Sequence, residues 1–258
     1  MNKHSRLSSD RWFGHLTGGF AISYLVLLTA MVAALAGHTT PSSIWSVLSR
    51  PEVLASLRLT LLASTVATAA ALVVAMPVAA WVTRHRRAGL VDTILDLPHV
   101  MPPLVLGLSL LVLLQMPPFR ALAPWIVYQV PSVFLVQFVV AVSHAVPILR
   151  ASLARDSGRA EQMAMVMGCT VASAFVRVTV PENRDGLIQA ATMAWARCVG
   201  TFGPILVLAG ATRNKTEVLS TTIYLELTIG DLSSAVATSV VLILLSGLSL
   251  ATLRLTLR

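Results

Sequence analysis

The sequence predicts an all-α integral membrane protein with six transmembrane helices, and three observations support this fold class. Of its 258 residues, 56% are hydrophobic and only 12% are charged, about half the charged fraction of a soluble domain. The mean hydropathy is +0.79, and the apolar residues are concentrated in long runs. Lysine and arginine, which give a net charge of +8, cluster in alternate segments between these runs, so membrane topology explains them better than nucleic-acid binding.

The six apolar runs are the expected transmembrane helices, because roughly 20 residues span the hydrocarbon core. The basic segment 1–18 leads into the first run without an Ala-x-Ala-like cleavage site, so we expect a first transmembrane helix and not a removed signal peptide. Residues 19–258 then form one membrane domain. In the third run Pro102 suits a helix start, whereas Pro103 either starts the helix or bends it. The runs are Gly19–Ala36, Leu57–Val82, Val100–Met116, Val130–Leu149, Leu187–Gly210 and Ala235–Leu253.

The distribution of positive charge predicts that both termini lie in the cytoplasm. With the N-terminus inside, most of the 19 lysines and arginines fall in cytoplasmic segments, as the positive-inside rule requires. Arg84, Arg86 and Arg87, between the second and third runs, contribute to this bias. We therefore expect a multi-pass protein of the bacterial cytoplasmic (inner) membrane.

The loop between the fourth and fifth runs predicts an amphipathic helix–turn–helix over about residues 159–181. Its apolar side chains recur every three or four residues, which places them along one face of a helix. Gly168 is expected to end the first helix, because glycine readily takes a positive φ. Pro181, which has no N–H, is expected to stop the second helix, which runs to about Val178. The apolar face consists of Met163, Met167, Val171, Ala174, Phe175 and Val178.

Charged residues are expected around the rim of this loop, and two interpretations stay open on the pattern alone. A basic amphipathic pair of helices often lies on the membrane surface. Alternatively, the methionines form an adaptable contact surface for a cytoplasmic partner through helix-in-groove recognition. The expected rim residues are Arg159, Glu161, Arg177 and Arg184.

The spacing within this loop resembles the cytoplasmic signature loop of permease subunits in binding-protein-dependent ABC importers. That pattern is Glu-Ala-Ala, three residues, Gly, nine residues and Ile-x-Leu-Pro. Here Gln-Met-Ala at 162–164, Gly168 and Val-Thr-Val-Pro at 178–181 occupy these positions, so Gln stands at the family's Glu, directly after Glu161. The resemblance extends from Leu57 to the C-terminus, which is most of the chain.

This resemblance implies a transport subunit that is not itself an enzyme and needs no cofactor. In the family the loop forms coupling helices, which sit in a groove of a cytoplasmic ATPase and transmit its closure to the spans. The sequence contains no Gly-x-x-x-x-Gly-Lys-Ser/Thr phosphate loop, so a separate subunit is expected to hydrolyse ATP. The other implied partners are an extracytoplasmic solute-binding protein and a second permease subunit, identical or similar. The residues expected to serve coupling are Glu161, Gln162, Ala164, Gly168, Arg177 and Pro181.

Arg197 lies within the fifth run and marks a candidate translocation pathway. A charge at bilayer depth is costly, so it normally faces protein or water. The small residues after Arg197 allow close helix approach, and Pro204 weakens the helix. Alternatively, Arg197 lies near the inner end of the span and snorkels to the cytoplasm or pairs with a carboxylate. The candidate pathway residues are Arg197, Gly200, Thr201 and Gly203.

No pattern in the sequence supports catalysis or metal binding. There is no His-x-x-x-His, paired-carboxylate or Ser/His/Asp constellation. Cys169 and Cys198 indicate neither a disulfide framework nor a metal site. His144 is expected to form a hydrogen bond within the helix bundle, and His99, beside the inner interface, is given no role.

The stretch from Trp195 to Ala235 is similar to permeases for molybdate and tungstate, and more loosely to those for sulfate. In those relatives Arg-x-x-Gly-Glu-Phe-Gly is followed by Gly-Lys-Thr, Thr-x-Ile-Tyr and Gly-Asp. This chain departs at Thr201, where the relatives carry Glu, and at Asn214, where they carry Gly. The matching residues are Arg197, Gly200, Phe202, Gly203, Lys215, Thr216, residues 222–224, Gly230 and Asp231.

This second resemblance implies import of an oxyanion such as molybdate, tungstate or sulfate. Importers of phosphonate, ferric iron, thiamine and polyamines share the same architecture and are alternatives. A rival of another class is an ATP-independent carrier or channel, in which the loop at 159–181 only rests on the membrane.

Overall fold

The protein is built from α-helices, as the sequence predicts. The computed structural model describes residues 3–85, 89–155 and 158–256, and within these ranges it contains no strand. Arg86 and Arg87, which contribute to the predicted charge bias, lie outside the described residues.

Long helices alternate with short ones along the chain. In the N-terminal part these are α1 (Lys3–Gly37), α2 (Pro41–Leu48), α3 (Pro51–Arg84), α4 (Gly89–Val100), α5 (Pro103–Gln115), α6 (Ala123–Ile126) and α7 (Val130–Leu153). They continue as α8 (Arg159–Val166), α9 (Val171–Ala174), a π-helical turn (Phe175–Thr179), α10 (Val180–Glu182), α11 (Arg184–Val199), α12 (Gly203–Leu208), α13 (Leu219–Thr228) and α14 (Leu232–Thr256).

Four helices in the described ranges are long and apolar enough to cross a membrane, namely Leu16–Gly37 of α1, together with α3, α7 and α14. The pair α4 and α5 qualifies as one further broken span, with a bend of 112° between its halves. Against the six predicted helices, the structure therefore has four continuous spans, or five with the broken pair. The run Leu187–Gly210, predicted as one helix, instead forms α11 and α12 with a break at residues 200–202.

Proline and glycine account for both breaks. Pro102 is the N-cap of α5 and Pro103 is its first residue, so this pair starts a helix. Because proline disfavours helical backbone in the residue before it, the same pair separates α5 from α4. At the other break Gly200 caps α11, and Pro204 of α12 has no N–H with which to continue the hydrogen-bond ladder.

Alanine side chains form the core between α3, α7 and α11. Small residues allow the backbones of membrane helices to approach closely, and the alanines that do so here are fully buried. A second cluster packs Ile205 and Leu208 of α12 against Val133 and Val136 of α7, which fixes the region after the α11–α12 break. The buried alanines are Ala71, Ala75, Ala79, Ala141, Ala145, Ala190 and Ala194.

The segment between α7 and α11 folds into a helix–turn–helix. Gly168, with a φ of +93°, separates α8 from α9, as its sequence context predicts. The prediction that Pro181 stops the second helix is wrong, because Pro181 lies inside α10 and helical structure continues to Glu182. Proline has no N–H to donate, and it lies just after the π-helical turn, where the regular α-helical hydrogen-bond pattern is already interrupted.

Candidate functional site

A cavity of about 400 Å³ opens where the two broken helix pairs meet. Its walls come from the α4–α5 bend, from α7 and from the α11–α12 break. All four predicted pathway residues, Arg197, Gly200, Thr201 and Gly203, line this cavity. The break after α11 therefore brings together residues that the sequence predicted along a single helix.

Two glycines allow the close approach of backbone segments beside the cavity. A Cβ on Gly203 would lie 3.0 Å from Cβ of Pro103, and a Cβ on Gly107 would lie 2.8 Å from Cα of Pro204. Real Cβ atoms essentially never come closer than 3.0 Å to another heavy atom. A side chain at Gly107 would therefore push α12 away from α5 and change the shape of the cavity.

Polar side chains from neighbouring helices bind the backbone carbonyl groups around the end of α11. Gln137 of α7 donates a hydrogen bond from Nε2 to the carbonyl of Cys198 (3.1 Å). Ser220 of α13 donates one from Oγ to the carbonyl of Thr201 (2.7 Å), and Thr201 Oγ1 donates to the carbonyl of Arg197 (2.8 Å). These hydrogen bonds occupy backbone carbonyl groups around the break, where the regular helical ladder is interrupted.

Arg197 lies in the last turn of α11, and its exposed side chain lines the cavity. Because α11 begins at Arg184, Arg197 is roughly 20 Å along the helix at 1.5 Å per residue. This depth favours the interior position over snorkelling to the helix start. Within residues 3–85, 89–155 and 158–256, the guanidinium group forms no hydrogen bond or ion pair.

Two histidines that the sequence analysis did not assign to the pathway also line the cavity. The rings of His99, on α4, and His144, on α7, have centroids 4.5 Å apart in an edge-to-face arrangement. Nδ1 of His144 lies 2.9 Å from the carbonyl oxygen of Val140, which is the expected hydrogen bond within the bundle. In the sequence, Pro102 and Pro103 predict that a helix ends just after His99, but no pattern there predicts that His99 meets His144.

The segment between α7 and α11 is attached to the end of α3 by a buried carboxylate. Both oxygens of Glu161 accept hydrogen bonds from Nη2 of Arg84, at 2.7 and 2.6 Å. The Oε2 atom also accepts one from Thr179 Oγ1 (2.7 Å). Glu161 is only 9% exposed, so the prediction that it lies at the rim is wrong. Sequence spacing could not show this, because Arg84 is 77 residues away.

The opposite side of this helix–turn–helix exposes apolar side chains. Met163 is 67% exposed, Val166 89% and Met167 84%, and Val171 continues this surface. The predicted apolar face therefore divides, since Ala174 is buried against the bundle. A contiguous exposed apolar surface is typical of an interaction site. Among the predicted coupling residues, Gln162, Gly168, Arg177 and Pro181 are also exposed and Ala164 is half-buried.

At the N-terminal end of α3, Arg50 and Arg213 form ion pairs with acidic residues of α13 and of the turn before α14. Nη2 of Arg213 lies 2.9 Å from Oε1 of the buried Glu226, and Nη1 of Arg50 lies 3.8 Å from Oδ2 of Asp231. Hydrogen bonds from Ser234 hold the pKa of Asp231 below its ordinary value. This network was not predicted, because its members come from three separate segments of the chain.

The sequence has relatives among transport permeases. No protein-family model matches it. The sulfate transport system permease protein CysT of Salmonella typhimurium (strain LT2) is 30% identical over 233 residues, which cover 88% of this chain and 84% of that protein. The molybdenum transport system permease protein ModB of Azotobacter vinelandii is 32% identical over 184 residues, which cover 66% of this chain and 79% of that protein.

Solved structures show the same fold at lower identity. A bacterial alginate ABC transporter in complex with its alginate pentasaccharide-bound periplasmic protein matches with a TM-score of 0.72 over 99% of this chain and 96% of that chain, at 15% identity. The relatives and the apolar helices point to a multi-pass protein of the inner membrane and to a transport subunit without catalytic activity of its own. The chain belongs to the family of ABC transporter permeases, in the group that includes the sulfate and molybdenum transport permeases.

Proposed function

We propose that this chain forms the translocation pathway of an importer for a doubly charged oxyanion, namely sulfate, molybdate or tungstate. The observation that carries the proposal is the cavity lined by Arg197, Gly200, Thr201 and Gly203. Arg197 is the one permanently charged group among the described lining residues, and its sign suits an anion. The names of the relatives CysT and ModB agree with this class of substrate.

Two copies of the chain enclose the pathway in this proposal. The Arg197 side chain is exposed in the single chain, although a charge that faces lipid at this depth is costly. A second subunit across the cavity would cover Arg197 and leave it facing protein and water. The external partner is a solute-binding protein, which delivers the substrate when the pathway opens outward.

The helix–turn–helix at Arg159–Pro181 couples this pathway to a separate cytoplasmic ATPase. Its exposed surface of Met163, Val166 and Met167 fits into a groove of that partner, because methionine adapts to a facing surface. The Glu161–Arg84 contact then transmits the movement to α3. Both termini are cytoplasmic in this arrangement, and ATP-driven closure of the ATPases switches the pathway between its inward and outward openings.

The substrate class is tested by the elemental content of cells. We expect deletion of the gene to lower molybdenum and tungsten content, or sulfate uptake, in medium where these anions are scarce. The intact gene should restore the loss. If molybdenum, tungsten and sulfate uptake all stay unchanged in a strain without a second transporter for them, the oxyanion proposal is wrong, whereas membership of the permease family stands.

The coupling role is tested by Gly168→Pro. Proline requires a φ near −65°, and Gly168 has a φ of +93°, so the substitution should distort the turn between α8 and α9. We expect the variant to insert into the membrane but to lose co-purification of the ATPase in mild detergent.

The matched control is Gly230→Pro. Gly230 has a similar φ of +84° and, as at Gly168, an added Cβ would have nothing within 4 Å, but it lies at the opposite end of the bundle. It should keep the ATPase bound. Equal loss of ATPase from both variants would contradict a specific role of the Gly168 turn, and absence of any ATPase from the intact protein would favour the ATP-independent carrier.

A further inference from the structure

Three ionisable side chains, each from a different helix, line the cavity. They are His99 of α4, His144 of α7 and Arg197 of α11. The described lining residues include no carboxylate, and those from α5 and α12 include no titratable group. The groups that can carry charge at the point where both helix pairs are broken are therefore all bases.

The hydroxyl groups beside the cavity donate their protons to the protein itself. Thr201 Oγ1 donates to the carbonyl of Arg197 (2.8 Å), and Ser143 Oγ donates to the carbonyl of Val140 (2.8 Å). An anion in the cavity therefore finds its side-chain donors in the guanidinium group and in the imidazole rings.

The hydrogen bond of His144 determines what its second ring nitrogen can do. Nδ1 of His144 lies 2.9 Å from the carbonyl oxygen of Val140 and 3.1 Å from Ser143 Oγ. In the tautomer in which Nδ1 donates to Val140, Nε2 of the neutral ring is an acceptor, and it becomes a donor only when the ring is protonated.

We propose that His99, His144 and Arg197 form a transient binding site for a doubly charged tetrahedral oxyanion within the pathway. This inference rests on the proposed oxyanion import. Arg197 supplies permanent charge, and the histidine pair, with ring centroids 4.5 Å apart, supplies further N–H donors when its rings are protonated. Transport needs a site that binds well enough to admit the ion and weakly enough to release it, and titratable imidazoles meet both requirements.

The test compares the double variant His99→Gln/His144→Asn with the intact chain in the assembled importer. Asparagine retains a side-chain N–H for the carbonyl of Val140 but removes Nε2. The control is His38→Gln, since Nδ1 of His38 makes the same type of local contact, 2.8 Å from the carbonyl of Ala34, on an exposed residue outside the cavity.

The measurement is the initial uptake of radiolabelled sulfate and molybdate into proteoliposomes at limiting concentration, between about pH 6 and pH 8, where histidine titrates. The double variant should import roughly tenfold more slowly at the lower pH, the loss expected for one charged hydrogen bond. Its ATP hydrolysis, stimulated by the binding protein, should persist. The intact chain and the control should slow as the pH rises, and the double variant should not.

The outcomes separate this inference from the proposal on which it rests. If the intact chain imports either anion and the double variant matches its rate and pH profile, the histidine site is wrong and oxyanion import stands. If the intact chain imports neither of these anions and does not import tungstate in the same assay, both are wrong. If the double variant does not assemble, the single variant His144→Asn is judged by the same rate and pH profile.

Discussion

Glu161 accepts three hydrogen bonds from groups outside its own helix, two from Arg84 and one from Thr179. The Arg84 side chain is 41% exposed, so solvent screens the ion pair. Glu161 is nevertheless buried, and a buried carboxylate must keep its partners. At this scale, one side chain joins α8 to α3.

We expect Glu161→Gln to loosen α8 without unfolding the protein. Glutamine keeps one acceptor oxygen but loses the charge, so the contact should weaken by about 1 kcal/mol, or roughly fivefold in a local opening equilibrium. Amide hydrogen exchange across Arg159–Val166 should accelerate accordingly. In proteoliposomes, less substrate should be imported for each ATP hydrolysed.

The control for this change is Glu182→Gln, which removes an exposed carboxylate from the same segment. It should leave both amide exchange and the transport ratio as in the intact chain. Unaltered exchange of α8 in Glu161→Gln would show that the buried contact does not hold the helix in place.

At the scale of elements, the cavity depends on how closely α5 and α12 approach. Gly107 of α5 permits this approach, since a Cβ there would lie 2.8 Å from both Cα and the carbonyl oxygen of Pro204. These are backbone atoms of a buried helix, so they cannot rotate away as the end of a side chain can. The contact makes the broken spans a single packed unit.

Gly107→Ala should therefore destabilise the protein by about 1–3 kcal/mol, as overpacking does, and should lower its melting temperature in detergent. Gly247→Ala on α14 is the matched control, because nothing lies within 4 Å of its added Cβ. Alanine favours a helix over glycine, so the control should melt at the same temperature or higher. If both variants melt at the same temperature, α12 can move away from α5 without loss of stability, and the prediction is wrong.

At the scale of the whole molecule, the position of Arg197 predicts a second subunit. The side chain is exposed in the single chain, and in the proposed arrangement a partner subunit covers it from the far side of the cavity. Native mass spectrometry of the detergent-purified importer should show two copies of this chain. A single copy with a different permease would indicate a heterodimer, and a lone monomer with an intact ATPase complex would contradict the arrangement.

Hydropathy and residue spacing within single segments of the sequence predicted much of the secondary structure. Hydropathy located the long helices α3, α7 and α14, because burial in lipid depends on the composition of each segment alone. Spacing located the turn at Gly168, because a left-handed residue is a local requirement of the backbone. The cost of a charge in the membrane likewise drew attention to Arg197, which lines the cavity, and its role in translocation stays a prediction.

Tertiary packing decided what these local patterns could not. The burial of Glu161, the approach of Gly107 to Pro204 and the pairing of His99 with His144 each join segments that are far apart in the chain. The run Leu187–Gly210 breaks at Gly200 and Pro204, and Gln137 and Ser220 of other helices bind the carbonyl groups around the break. Such contacts depend on which helices become neighbours, and no single segment carries that information.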